Sequence, residues 1–479
     1  MEGRICWVVV LGDFGRSPRM QYHTSSLLKR GAIVHVLAYD ESNLISFLVK
    51  HSKLTHHAIP PPPKCLQAMP RILALILKAL FQLLFLMCAM LWKLPKPDFA
   101  LVQLPPSIPT VLVCWLVNAI RGVVFVFDWH NFAFTLMGLT MGEEKWLVKC
   151  AKWLEMKFGK CGAAHLCVTK AMQGELASKW GIQASVLYDR PPDFFRAASN
   201  RELHDLMGKM APVLNDSMHY GDFCKEMLPE IVSCEGLGNG EVAETMFTEI
   251  DEGGNVVLKP NRPAIVVSST SWTPDEDFSI LLEAACAYNK KADQLSESEG
   301  TPLAKLLFIV TGKGPMKDFY MEKMRGLDVR HVAFRTVWLE PDDYPKLLGC
   351  ADLGISLHRS SSNLDLPMKI VDMYGCSLPV CAVGYSCLHE LVEDGKTGLV
   401  FSTSQELGDM LVELFKGFPH RDDDQPLLAK FRRTIGSRQG FSWEKNWEQC
   451  GLPVFEGVLR KKCSSTREGG GEKLARKAL

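Results

Sequence analysis

The stretch Gly12-Asp13-Phe14-Gly15-Arg16-Ser17-Pro18-Arg19-Met20-Gln21-Tyr22-His23 gathers groups that handle phosphate. Glycines at 12 and 15 let the backbone approach a ligand, Arg16 and Arg19 can fork onto phosphate oxygens, and a helix start offers unsatisfied N–H groups. The string contains neither G-x-G-x-x-G nor G-x-x-x-x-G-K-[ST], so it is no dinucleotide fingerprint and no P-loop. A tight turn with solvated arginines is the alternative. Asp128-Trp129-His130-Asn131 follows an apolar run, and a carboxylate one residue from an imidazole suits a general base with its orienter or contacts to sugar hydroxyls. An N-cap aspartate with a structural histidine would read the same way. Asp13 is a further base candidate, and the sequence does not choose among Asp13, Asp128 and His130.

The second half carries its own set. Thr311-Gly312-Lys313-Gly314-Pro315 joins an apolar run to a helical pattern, a short geometry that tolerates phosphate. Ser268 to Asp277 offers hydroxyls for phosphate and acids that would equally serve as helix caps. Lys369 and Asp372, in Leu366-Pro367-Met368-Lys369-Ile370-Val371-Asp372, share one face of a helix. Lysine plus the helix amino terminus suits a diphosphate, and a carboxylate one turn on suits ribose hydroxyls; an i,i+3 ion pair on a solvated face is the alternative.

These residues need rigid elements beneath them. Short β-branched runs at 8–11, 32–38, 99–103, 123–127 and 165–169 alternate with helical patterns, which predicts parallel βαβ units. A second series runs through 264–268, 306–311, 354–357 and 378–382. The expected division is an amino-terminal domain over 1–190, a linker or insertion over 191–262, a second domain over 263–440, a helix over 441–459 that packs back toward the first domain, and a disordered basic tail over 460–479. Pro191-Pro192 supplies the break.

Composition bounds the rest. The 479 residues are 47% hydrophobic and 23% charged, which excludes a fibrous or disordered chain. Fifty-four basic residues match fifty-four acidic ones, so no net charge draws the protein to nucleic acid. Sixteen cysteines without one C-x-x-C pair predict reduced thiols and no bound metal. The start reads as a strand, not a signal peptide, and Asn215-Asp216-Ser217 is the only N-x-S/T sequon. Ile72 to Trp92, flanked by Arg71 and Lys93, is long and apolar enough to span a bilayer. A simple crossing would put the strand at Val8 and that at Val123 on opposite sides. The expectation is a segment over 71–93 that docks on the membrane interface with Lys78 and Gln82 facing water or headgroups; the alternative is an apolar helix packed under the sheet.

The two βαβ series, the K-x-x-D helix, Gly375-Cys376-Ser377-Leu378-Pro379-Val380 and Gly312-Lys313-Gly314-Pro315 together resemble GT-B glycosyltransferases that use nucleotide sugars. The string from Gly12 to His23, Asp128 to Asn131, Ser360 to Lys369 and Cys387-Leu388-His389-Glu390-Leu391-Val392 resemble the β-mannosyltransferase family of the dolichol pathway, from about residue 5 to about 455. The resemblance implies an α/β GT-B fold of two Rossmann-like doubly wound domains facing a cleft. It implies inverting β-1,4 transfer of mannose from GDP-mannose to dolichyl-diphosphate-linked GlcNAc2, the first mannosylation of the N-glycan precursor, at the cytosolic face of the endoplasmic reticulum. Carried onto this chain, Lys369 and Asp372 hold the nucleotide with Gly312 and Gly314, Glu390 lies by the sugar or ribose, and Glu340 lies near the guanine with Trp338. Gly15, Arg16, Arg19 and His23 meet the acceptor diphosphate. No metal is tightly bound in that family, although a divalent cation can assist, and other early dolichol-pathway transferases are candidate partners. Many relatives place a membrane anchor ahead of the first strand, so attachment here is expected to rest on Ile72 to Trp92. Asp365 stands seven residues before Asp372, against eight in the E-x7-E of retaining GT-B enzymes. A catalytically idle GT-B scaffold and a retaining α-glycosyltransferase are the other readings.

Overall fold

The computed structural model describes residues 1–214, 243–274, 276–298, 303–340, 342–419, 426–438 and 440–462. The sequon at Asn215 and the tail beyond 462 lie outside the described residues. The chain forms two units, one of Met1–Asp189, Ser361–Asp365 and Trp443–Leu479, the other of Arg190–Ser360 and Leu366–Ser442.

The first unit is a doubly wound α/β layer. Its elements are β1 (Ile5–Asp13), α1 (Pro18–Lys29), β2 (Ile33–Tyr39), β3 (Leu54–Ala58), α2 (Arg71–Cys88), β4 (Phe99–Leu104), α3 (Thr110–Arg121), β5 (Phe125–Trp129), α4 (Ala133–Met141), α5 (Trp146–Phe158), β6 (Ala164–Cys167), α6 (Lys170–Trp180) and β7 (Ser185–Val186). All strands are parallel, in the order β3-β2-β1-β4-β5-β6-β7. Helices cover both faces of such a sheet, so the strands read as continuous apolar runs, and Cys6 to Val10 are fully buried. Strand order reverses between β1 and β4, so the loop after β1 sits where an open α/β sheet receives ligands.

The second unit contains α7 (Asn200–Leu214), the antiparallel pair β8 (Thr248–Ile250) and β9 (Val256–Leu258), then β10 (Ala264–Ser269), α8 (Ser279–Ser298), β11 (Leu306–Thr311), α9 (Lys317–Arg325), β12 (Val332–Val337), α10 (Asp343–Cys350), β13 (Leu353–Ser356), α11 (Met368–Gly375), β14 (Val380–Val383), β15 (Gly398–Phe401), α12 (Ser404–Phe415) and α13 (Leu427–Gly436). Its parallel sheet runs β12-β11-β10-β13-β14-β15, with the reversal between β10 and β13. Alternate residues of β10 serve different cores: Ala264 and Val266 join one cluster, Ile265 and Val267 the other. The helix α14 (Trp443–Asn446) continues through a π turn and remains helical to residue 462 within the first unit. There Trp443 donates to Ser26 Oγ at 3.0 Å and Asn446 to the Tyr188 carbonyl at 2.7 Å.

Strands without a strong apolar run escape the sequence reading. β3 is Leu-Thr-His-His-Ala on the sheet edge, and β7 has two residues. Among the described residues one helical stretch, Ile72–Lys93, is long and apolar enough to cross a membrane. It leaves from β3 and returns to β4 of the same sheet, which a single crossing would forbid. Its later turns pack inward through Leu86, Ala89 and Met90. Lys78 is exposed as expected, but Gln82 is not: it is buried and donates to Tyr39 Oη at 2.9 Å. A polar side chain that close to the sheet satisfies itself on protein rather than on water.

Candidate active site

Helix α1 turns polar side chains into the protein: Arg19, Gln21, His23, Thr24 and Ser26 are all buried. Gln21 donates to the carbonyls of Phe14 and Gly15 at 3.1 and 3.0 Å and accepts from the Ile45 amide at 2.8 Å, pinning the loop that follows β1. Gly15 is needed for packing there, since a Cβ would lie 2.5 Å from the Ser42 carbonyl oxygen.

Asp128, the fourth residue of β5, is the hub of this unit. Arg19 grips it in two-pronged fashion, Nε at 2.7 Å and Nη2 at 2.9 Å, and spends Nη1 on Asp189 and the Leu187 carbonyl, both at 2.8 Å. Trp447 donates its indole N–H to His23 Nδ1 at 2.9 Å, which leaves His23 Nε2 protonated and facing Asp128 Oδ2 at 3.2 Å. His130 Nε2 meets the same oxygen at 2.9 Å. Burial opposes the charge on Asp128, but Arg19, His130 and His23 outweigh it and hold the carboxyl well below its ordinary value. Burial also lowers His23, keeping the ring neutral.

The structure places the expected acceptor-side residues in two settings. Arg19 and His23 are buried and directed at Asp128. Asp128 is fully buried, and its carboxylate faces Arg19, His23 and His130. With Asp128 ionised, its Oδ2 accepts the hydrogen bond and His130 Nε2 donates it. Asp13 has a different setting. Its Oδ1 accepts from the amides of Glu41 and Ser42 at 3.1 and 3.2 Å, and Oδ2 has Arg16 Nε at 3.4 Å. Burial works against its ionisation, yet Ser42 and the backbone amides pull its carboxyl below the usual value. Arg16 is exposed, with Nε donating to Ser42 Oγ at 3.2 Å. Asn131 donates to Asp365 Oδ1 at 3.0 Å and Ser361 Oγ at 3.1 Å, which ties Asp365 into this unit.

The second unit gathers another set at its own strand reversal. Lys369, on the first turn of α11, is ion-paired to Glu276. Glu276 is buried and also accepts from Thr270 Oγ1 and the Ser271 amide, each at 2.6 Å. Burial would raise this carboxyl; Lys369 and the Thr270 and Ser271 donors bring it below its usual value. The loop after β11 lies against the same backbone: Gly312 has φ +132°, and a Cβ would fall 1.8 Å from the Thr270 oxygen. Gly314 abuts the Ser271 oxygen as closely. Hydroxyls line the reversal. Tyr344 and Thr311 each lie within 3.3 Å of Ser269 Oγ, and Ser268 Oγ and Ser356 Oγ are enclosed with no hydrogen-bond partner among the described residues. Asp372 is half-buried near Tyr344. Trp338 is 61% exposed with Lys313 Nζ 3.8 Å from its ring centre, and Glu340 is exposed two residues on. Glu390 sits on a short 3-10 turn in a polar recess of about 470 Å³ with Arg190, His389, Glu393 and Arg438. Neither Lys369 nor Asp372 lines that recess.

The sequence reading missed Glu276, taken as a capping acid, and Asp189, which falls at the end of the first expected domain with no role given to it. No local signal marks either, because each acquires its role from a partner 93 or 170 positions away. Among the described residues no group of three or more His, Cys, Asp or Glu is placed to hold a metal.

A family model described as Glycosyl transferases group 1 matches residues 264–416. Over 452 residues the chain is 41% identical to a mouse protein named Chitobiosyldiphosphodolichol beta-mannosyltransferase, covering 94% of this chain and 88% of that one. The human protein of that name is 41% identical over 93% of this chain and 91% of its own length. An Arabidopsis thaliana protein named UDP-glycosyltransferase TURAN is 47% identical, covering 96% and 98%. In fold, the chain matches the Anabaena protein HepE in complex with UDP-glucose with a TM-score of 0.58 at 13% identity, covering 96% of this chain and all of that one. A sucrose-phosphate synthase from Thermosynechococcus elongatus gives 0.57 at 11% identity, covering 98% of this chain and all of that one. These neighbours and the two parallel sheets establish the expected GT-B fold of two Rossmann-like domains.

Proposed function

Since this chain belongs to the chitobiosyldiphosphodolichol beta-mannosyltransferase family, a family of glycosyltransferases, we propose that it moves mannose from GDP-mannose onto dolichyl-diphosphate-linked GlcNAc2 with inversion to a β-1,4 linkage. The acceptor hydroxyl attacks the anomeric carbon opposite the leaving GDP, and a base takes its proton. His130 is that base, working through Nδ1. The observation that carries this assignment is the buried, ionised Asp128 holding Nε2 at 2.9 Å, which leaves the other ring nitrogen as an acceptor. Arg19 and His23 keep Asp128 ionised.

The donor belongs to the second unit. Lys369 and the amino end of α11 take the diphosphate, Asp372 the ribose, and the backbone around Gly312 and Gly314 the remaining phosphate oxygens. Trp338 and Glu340 serve the guanine, Glu390 the sugar or ribose. A divalent cation adds to this charge neutralisation without being a resident group. Arg16 and Gly15 meet the acceptor diphosphate, since Arg16 is the exposed arginine of its loop. The protein lies on the endoplasmic reticulum membrane, with its catalytic units on the cytosolic face, through the exposed apolar side of α2: Ile72, Leu73, Leu75, Ile76, Leu80 and Leu84.

The test incubates the full chain with lipid-linked chitobiose and either GDP-mannose or UDP-sugars, the second arm answering to the relative named as a UDP-glycosyltransferase. A trisaccharide lipid formed from GDP-mannose alone supports the reading. Transfer only from a UDP-sugar overturns the donor, and no transfer from either overturns the reaction. His130→Ala should lower kcat by about 10²- to 10⁴-fold with little change in donor KM.

A further inference from the structure

Beside α2, the first unit exposes a second group of large side chains. Trp115 and Ile120 of α3, Leu136 and Leu139 of α4, and Trp146 and Trp153 of α5 are 41–63% exposed. An apolar groove of about 210 Å³ is lined by Ala79, Leu80 and Leu83 of α2, Val111 and Leu112 of α3 and Leu154 of α5, which puts the three helices on one face. Ring contacts link α3 and α4 to α5: Trp115 meets Phe158 edge-on at 5.4 Å, Trp153 meets it at 6.5 Å, and Lys152 Nζ lies 5.1 Å from the centre of the Phe134 ring of α4.

Helix α5 is amphipathic in an unusual sense. Its inward side buries Val148, Ala151 and Glu155. Its outward stripe reads Trp146, Lys149, Cys150, Trp153 and Lys157, at helical spacings of three, four, seven and eleven from the first. A solvated helix would pair such lysines with acids. Here five lysines between positions 145 and 160 meet two exposed glutamates, Glu143 and Glu144. The 2.7 Å pair of Lys149 with Glu144 is 62% and 91% exposed, so it neutralises little. Tryptophan interleaved with lysine, next to a strip of exposed aliphatic residues, is the composition that suits the boundary between headgroups and acyl chains.

We propose that α5, with the exposed residues of α3 and α4, is a second membrane-contact surface that seats in the headgroup layer of a bilayer containing anionic lipid. The tryptophans anchor it in the interface and Lys149 and Lys157 answer the lipid phosphates. It rests on the reading that α2 lies on a membrane. With both helices docked, the apolar groove between them is covered by acyl chains instead of water.

The experiment floats the full chain with vesicles of phosphatidylcholine alone or with phosphatidylserine added, at low and high salt. Wild type should prefer the anionic vesicles, and the preference should fade as salt rises. A surface lysine contributes roughly fivefold to such binding, so Lys149→Gln with Lys157→Gln should weaken it on the order of 25-fold. Trp146→Ala with Trp153→Ala should weaken binding to both vesicle types. The lysine changes lie on the surface, so they decide the matter if the tryptophan variant does not fold. Equal binding to both vesicles, or unchanged binding by the lysine variant, overturns the proposal; so does a lysine variant that loses a protein partner while floating normally. Transfer to lipid-linked chitobiose in detergent, measured alongside, separates the two readings: its absence in wild type sinks the enzymatic assignment while leaving vesicle binding to stand or fall alone.

Discussion

Replacing Asp128 with asparagine tests the network on which the acceptor-side chemistry rests. The substitution keeps the shape and removes the charge that Arg19, His23 and His130 surround. Breaking a buried ion pair by deleting one partner costs about 3–5 kcal/mol, because the other charge stays buried. Asp189 still holds Arg19 at 2.8 Å, which places the expected loss near the lower end, about 3 kcal/mol. For a unit of this size that is roughly 6–12 °C in melting temperature. Nine of the eleven tryptophans, all but Trp272 and Trp338, belong to the first unit, so tryptophan fluorescence during denaturation follows it. Adding Arg19→Met should make the double variant less destabilised than the sum of the single ones, since it removes the stranded cation. The pH dependence has a definite sign. A carboxyl depressed in the folded state contributes fully above its unfolded value, near 4, and the contribution is lost as pH falls toward the lower folded value. A cost below about 1 kcal/mol, or strictly additive variants, would refute the reasoning.

Other consequences follow from the same geometry. Lys369→Met should weaken GDP binding on the order of 10- to 100-fold in calorimetry, the scale of one charge-assisted contact; Glu276→Gln should have a smaller effect, because it loosens the lysine without removing it, and equal affinities for all three proteins would count against the diphosphate assignment. Glu155, on the buried side of α5, caps α4 by accepting from the Ala133 amide at 3.1 Å, and burial pushes its carboxyl up to about 7 despite the Ser107 and backbone donors. Its contribution is full below the unfolded value near 4 and disappears as pH rises through 7, by up to about 3 kcal/mol. Glu155→Gln should therefore flatten the stability of the first unit between pH 5 and 8; a curve identical to wild type would show that the group does not titrate there.

Much of the protein was legible in one dimension. Two series of short apolar runs separated by helical patterns dictate parallel βαβ sheets, because strands covered on both faces have no polar side to alternate with. The K-x-x-D helix begins where Pro367 places it, since spacing and proline act locally. Polar or two-residue strands such as β3 and β7 carry no such signal and exist only because a neighbour supplies their hydrogen bonds. Position within the site was likewise a tertiary matter. Sequence types marked Arg19, His23, Asp128 and His130 as chemically capable, but all four are ordinary polar residues until folding excludes water from three of them and leaves one ring nitrogen of the fourth available. Burial and the identity of a partner more than a hundred residues away set the charge on Asp128, and neither quantity is a property of neighbouring letters.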